Sequence, residues 1–80
     1  MNTYRYQFAA LCPNNDEQIV YSLELVTEST VMVESIKEEC SKLKTGYQEM
    51  MASRLHAQFG GTLTLRASHH GVEIETVLSR

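Results

Sequence analysis

Ser35-Ile36-Lys37-Glu38-Glu39-Cys40-Ser41-Lys42-Leu43-Lys44-Thr45-Gly46-Tyr47-Gln48-Glu49-Met50-Met51-Ala52-Ser53-Arg54-Leu55-His56-Ala57-Gln58-Phe59 is the stretch on which the fold turns. Ile36, Cys40, Leu43, Tyr47, Met50 or Met51, Leu55 and Phe59 recur at three- and four-residue steps, the signature of one apolar helical stripe. Ser35 with Glu38 three residues on reads as a capping box. Glu38 and Glu39 suit the positive end of a helix, and Lys42 and Lys44 the negative end. Gly46 then reads as a C-terminal cap, which divides the stretch into two helices over about 35–45 and 47–58. A single helix carrying Gly46 is the competing reading, because an internal glycine costs only about 1 kcal/mol relative to alanine.

Outward on both sides the period falls to two. Tyr4, Tyr6, Phe8 and Ala10 alternate with Arg5, Gln7 and Ala9, and Ile19, Tyr21, Leu23 and Leu25 alternate with more polar neighbours, so both runs read as strands. The turn formers Pro13-Asn14-Asn15-Asp16 between them predict an antiparallel hairpin. After Gly60-Gly61, Leu63, Leu65 and Ala67, then Val72, Ile74, Thr76 and Leu78, alternate around His70-Gly71 and predict a second hairpin. The order ββααββ gives one α+β domain over residues 1–80, a four-stranded antiparallel sheet with its helices on one face. The other face would carry Arg5, Gln7, Ser22, Glu24, Thr64, Arg66 and Glu75, fit for bulk water or a wet channel between subunits.

A chain of 80 residues buries only about 60 to 65% of its unfolded surface, so the core is thin and self-association is expected to supplement it. Net charge is −3 and the seven basic residues are scattered, which disfavours nucleic acid as a partner. No apolar run reaches membrane length, and Met1-Asn2-Thr3-Tyr4-Arg5-Tyr6 lacks the pattern of a secretory signal. The reading is a cytoplasmic protein with reduced thiols.

Few residues stand out chemically. Cys12, at the mouth of the first hairpin, reads either as a half-buried strand-end thiol or as a nucleophile, the latter requiring a cation, dipole or base to favour the thiolate. His69 and His70 point to opposite faces if they lie on a strand, which argues against a shared metal. Cys40 belongs to the helical stripe, and His56 reads as a solvated helix residue. Glu34 and Glu49 are carboxylates able to accept two parallel N–H bonds from a guanine- or pterin-like edge, although helix-surface glutamates are usually just solvated.

Four stretches in order resemble the tunnelling-fold (T-fold) enzymes, and most of all the 7-cyano-7-deazaguanine nitrile reductases. Phe8-Ala9-Ala10-Leu11-Cys12-Pro13 is similar to their Phe-x-x-Leu-Cys-Pro, Val33-Glu34-Ser35-Ile36-Lys37 to their Val-Glu-Ser-Lys-Ser, Gln48-Glu49 stands at their His-Glu, and Gly71-Val72-Glu73-Ile74-Glu75 is similar to their Gly-Ile-x-Ile-Asp. The resemblance implies the T-fold unit, subunits joined into a barrel, and a purine, deazapurine or pterin-like ring bound between them. It implies Glu49 as the anchor of the ring and Cys12 as the nucleophile. It places Glu34, Ser35 and Lys37 in the region of a nicotinamide cofactor, NADPH, and His70 in a ligand-binding stretch where the family has Arg-Gly-Gly. The chain departs from the pattern where the family's proton-transfer aspartate falls on Ile19. GTP cyclohydrolase I is a more distant resemblance, since its Cys-x-x-His would need histidine where Asn15 stands.

Two functional expectations follow. One is a small homo-oligomer with an intersubunit pocket for a heterocycle. The other is a non-enzymatic interaction module that binds a partner protein through its exposed sheet face or edge.

Overall fold

Alternation over Asn2–Leu11 (β1) and Gln18–Thr27 (β2) produces two strands paired antiparallel along their whole length, from Asn2 opposite Thr27 to Leu11 opposite Gln18. The structure, a computed structural model, describes residues 1–79. Helices Val33–Ser41 (α1) and Gln48–Phe59 (α2) follow, then strands Thr62–His69 (β3) and Val72–Leu78 (β4). All strand pairs are antiparallel and the sheet runs β1-β2-β3-β4, with both helices on one face. The expected ββααββ architecture is the observed one.

The core is made where that face meets the helices. Tyr21, Leu23, Leu25, Leu63 and Leu65 of the central strands pack against Met51, Ala52 and Leu55 of α2 and Ile36 and Cys40 of α1. Each leucine fully withdrawn from water contributes about 1.5 to 3 kcal/mol, so these central rows dominate the stability. The outer strands are less covered: Tyr4, Tyr6 and Phe8 of β1 are only partly buried.

The helix boundaries differ from the sequence expectation. Helix α1 begins two residues earlier, at Val33, with Met32 as its N-cap and no side-chain cap, so the Ser35–Glu38 capping box does not form. It ends at Ser41, tightened by Lys42 N–H to Glu39 O (3.3 Å) and Leu43 N–H to Cys40 O (3.0 Å). Beyond that point the end of β1 captures the chain. Leu11 N–H donates to Lys44 O (2.9 Å) and Thr45 Oγ1 donates to Leu11 O (3.1 Å). These bonds compete with helix continuation and win, so Gly46 lies in an extended connection and does not cap α1. Tyr47, expected on the buried stripe, is exposed and donates its hydroxyl to Asn14 Oδ1 (3.0 Å). Between the two candidate methionines, Met51 is buried and Met50 exposed.

Two glycine positions fix the second hairpin. Gly61, at φ +66°, enters β3 so closely beneath β2 that a Cβ there would lie 2.5 Å from Val26 O. His70 (φ 53°) and Gly71 (φ 85°) form a two-residue left-handed connection between β3 and β4, matched to the twist of the strands. Because β1 and β3 run in the same direction, this turn, the 12–17 loop and the α1–α2 connection gather at one end of the sheet. The opposite face carries a ladder of charges, Arg5 to Glu24 (3.4 Å), Glu24 to Arg66 (3.8 Å) and Arg66 to Glu75 (2.9 Å), with Thr64 buried among them. Among the described residues β4 has an unpaired outer edge, and so does β1 except at Leu11, where Thr45 bridges to it.

Candidate functional site

A cleft of about 660 Å³ opens at the loop end, between the start of α2 and β4, and its walls include Cys12, Asn15, Tyr21, Glu49, His69 and His70. Gln48, the first residue of α2, is buried and organises it. Its Nε2 donates to Leu65 O (2.8 Å) and Ile74 O (3.0 Å), with Thr76 Oγ1 at 3.3 Å. Two carbonyls on one side fix the amide orientation, so Oε1 is the atom facing His69 Nε2 at 2.8 Å. An amide oxygen only accepts, and His69 Nε2 therefore carries a hydrogen. One side chain thus ties α2 to both strands of the second hairpin and sets the tautomer of a cleft histidine.

Glu49 follows in the first turn of α2, where the helix dipole favours a carboxylate, and its side chain is exposed. Cys12 sits where β1 gives way to its loop, held by Cys12 N–H to Glu17 O (2.8 Å) and Asp16 N–H to Cys12 O (2.9 Å). His70 bridges the two hairpins: its Nε2 lies 2.8 Å from Asn15 Nδ2 and 3.2 Å from Glu17 Oε1. Asn15 Oδ1 is engaged by Glu17 N–H (3.0 Å), so Nδ2 faces the imidazole and a neutral His70 accepts from it. A protonated His70 pairs with Glu17 instead. The two adjacent histidines thus have separate duties.

Cys12, Glu49 and His70, singled out in the sequence, come together around this cleft. Glu34, Ser35 and Lys37 do not. They lie in the first half of α1, and Lys37 borders a separate groove of about 260 Å³ beside Thr3, Tyr4, Arg5 and Tyr6 of β1. His56, which reads from the sequence as a solvated helix residue, is partly buried with Nε2 3.0 Å from Gly61 O. Sequence reasoning missed Tyr21 and His69 as cleft residues and the clamp made by Gln48. The available signal was a polar atom in each case, carried on the core face of a strand or at the head of a helix.

The two thiols differ in kind. Cys40 is 2% exposed, and burial, assisted by the charge of Glu39, pushes its thiol up to about 11. Cys12 is half-buried at the loop. Brief alkylation of the native protein, read by mass spectrometry, is expected to label Cys12 at least about tenfold faster than Cys40, since Cys40 is both shut off from the reagent and held as the thiol by burial. Equal, slow labelling would make Cys12 a structural thiol.

No family model matches the sequence, and no curated protein matches it. Among solved structures, the chain is similar to a crystal structure of the archaeosine synthase QueF-Like in the apo form, with a TM-score of 0.72 and 17% identity, over 96% of this chain and 89% of that one. Strand order, the helical pair on one sheet face and this superposition agree in giving the chain the ββααββ architecture of the tunnelling fold.

Proposed function

We propose that the protein is a homo-oligomeric T-fold subunit whose cleft binds a planar purine, deazapurine or pterin-like ring between copies, with Glu49 as anchor. The observation that carries this reading is the convergence of Cys12, Glu49 and His70 on one cleft beside the open edge of β4. A carboxylate in the first turn of a helix can accept the paired N–H donors of such a ring. Cys12 supplies the thiol available for addition to a ring substituent. Joining the β4 edge of one copy to the β1 edge of the next is antiparallel, removes two unpaired edges, and continues the sheet towards a closed barrel. It also brings the α1 residues Glu34, Ser35 and Lys37 of one copy to the side on which its neighbour carries the cleft.

Ser35 and Lys37 offer one hydroxyl and one cation beside the carboxylate of Glu34. That donor set is too sparse for the phosphates of NADPH, and the residues do not fit that cofactor. The reading is therefore one of ring binding and assembly, and it rests on no redox step.

Sedimentation and a thermal-shift series with guanine, pterin and deazapurine test it. The expected result is an oligomer stabilised by at least one ring, since ligand at a hundredfold excess over Kd adds about 2.7 kcal/mol. Glu49→Gln is expected to weaken that ring by about 1 to 3 kcal/mol, because an amide donor then faces a ligand donor. Its ligand-free unfolding midpoint should stay within a degree or two, as the side chain is exposed. A monomer that no ring stabilises sinks the proposal and leaves the interaction module, which the exposed Val72, Ile74 and Val77 of β4 favour as a protein-binding edge.

A further inference from the structure

Tyr21 lies on the central strand β2 with its ring well used. It stacks on Phe8 with centroids 5.4 Å apart and meets the edge of the His69 ring at 5.8 Å. The residue is fully buried, yet its hydroxyl has no hydrogen-bond partner within the protein, and among the described residues it is the one buried side-chain polar atom in that condition. An unpaired buried hydroxyl weakens a fold, so packing alone would be served better by phenylalanine. A buried hydroxyl at that cost points to a partner that arrives from outside.

Its position says where. Tyr21 pairs with Phe8, whereas His69 pairs with Val72 at the loop end of the second hairpin. Contact with His69 therefore shows the phenol leaning towards the loops, and Tyr21 lines the cleft together with Cys12 and Glu49. Burial raises its pKa above the ordinary tyrosine value, with the charge of a Cys12 thiolate adding to the effect, so the phenol stays protonated and able to donate.

We propose that the Tyr21 hydroxyl is a ligand contact, donating its hydrogen to an oxo oxygen or ring nitrogen of the heterocycle in the cleft. This rests on the reading of the cleft as a ring-binding site and narrows it. A ring that presents N–H donors to Glu49 and an acceptor to Tyr21 is of the lactam kind found in guanine and pterin. A ring without an acceptor leaves the hydroxyl unpaired and is selected against.

Tyr21→Phe tests the assignment, with guanine and pterin as probes and the unfolding of the ligand-free protein measured alongside. The expected result is an unfolding midpoint equal to or above that of the wild type, together with about tenfold weaker binding of the probe, equivalent to about 1.4 kcal/mol. A lowered ligand-free midpoint would show that the hydroxyl has a structural partner, and would overturn the assignment whatever binds. Equal affinity in the variant would overturn it while leaving the ring-binding cleft intact. A wild type that binds neither probe removes that cleft reading, and the assignment falls with it.

Discussion

Gln48→Leu is expected to destabilise the protein by about 2 to 4 kcal/mol, lowering its unfolding midpoint by on the order of 10 to 30 °C. The leucine has nearly the same size and the same ease of entering a helix, so neither packing volume nor helix propensity accounts for such a loss. The cost arises from polar groups. Leu65 O and Ile74 O lose a donor they receive at 2.8 and 3.0 Å, and His69 Nε2 loses the oxygen that accepts its hydrogen at 2.8 Å. Each buried bond contributes about 1 kcal/mol net, and each group left unpaired costs about 1 to 3 kcal/mol more, with relaxation recovering part of the sum. Because β4 pairs with β3 along one edge only, the Gln48 amide is its second tether. Amide exchange should therefore quicken in β4 before it does in β2. A midpoint within two or three degrees of the wild type would mean that the amide is solvated and that the α2 terminus is held by its neighbours alone.

The same residue shows how far the sequence can be read. The ββααββ order was legible because the hydrophobic period changes twice, from two to a helical step and back, with Gly60-Gly61 and His70-Gly71 marking the joints. The inward rows were legible too, since alternation assigns faces. Partners were not. Nothing in alternation says that the Gln48 amide meets two carbonyls from different strands, or that the Tyr21 hydroxyl meets none. Helix ends were misplaced because the capture of Lys44 and Thr45 by the end of β1 is a long-range contact, and local cap patterns such as Ser35 with Glu38 do not register it. In the candidate site, Cys12, Glu49 and His70 are far apart in the chain but meet because three connections share one end of the sheet. Glu34, Ser35 and Lys37 belong to the β1 side, and only contact between copies could bring them near a cleft that opens beside β4.

The largest single effect is expected at the centre of the sheet. Leu65→Ala should cost about 2 to 5 kcal/mol, the usual range for a leucine removed from a core that cannot fully collapse around the space. Leu65 has no exposed surface. It stands on β3 between Leu23 on one side and Thr76 on the other, beneath α2. Strands on both flanks are fixed by their ladders, which limits how far the surroundings can close the gap. In a domain whose total stability is of the order of 5 to 15 kcal/mol, a loss of this size removes a large fraction of it. Val20→Ala is the control: Val20 is a strand residue on the opposite face, 58% exposed, and its replacement should stay within about 0.5 kcal/mol. The contrast also bears on the site. The backbone carbonyl of Leu65 is one of the acceptors that hold Gln48, so loosening this position should also loosen the start of α2, where Glu49 sits. On the proposed ring-binding reading of the cleft, ring affinity in Leu65→Ala should then fall even at temperatures where the variant remains folded, whereas Val20→Ala should bind as the wild type does. Denaturant unfolding of both variants, with ring titration well below their midpoints, separates the two effects. Equal losses of stability in both would mean that the central rows are not the seat of the core. Unchanged affinity in a destabilised Leu65→Ala would mean that Glu49 is positioned independently of the sheet.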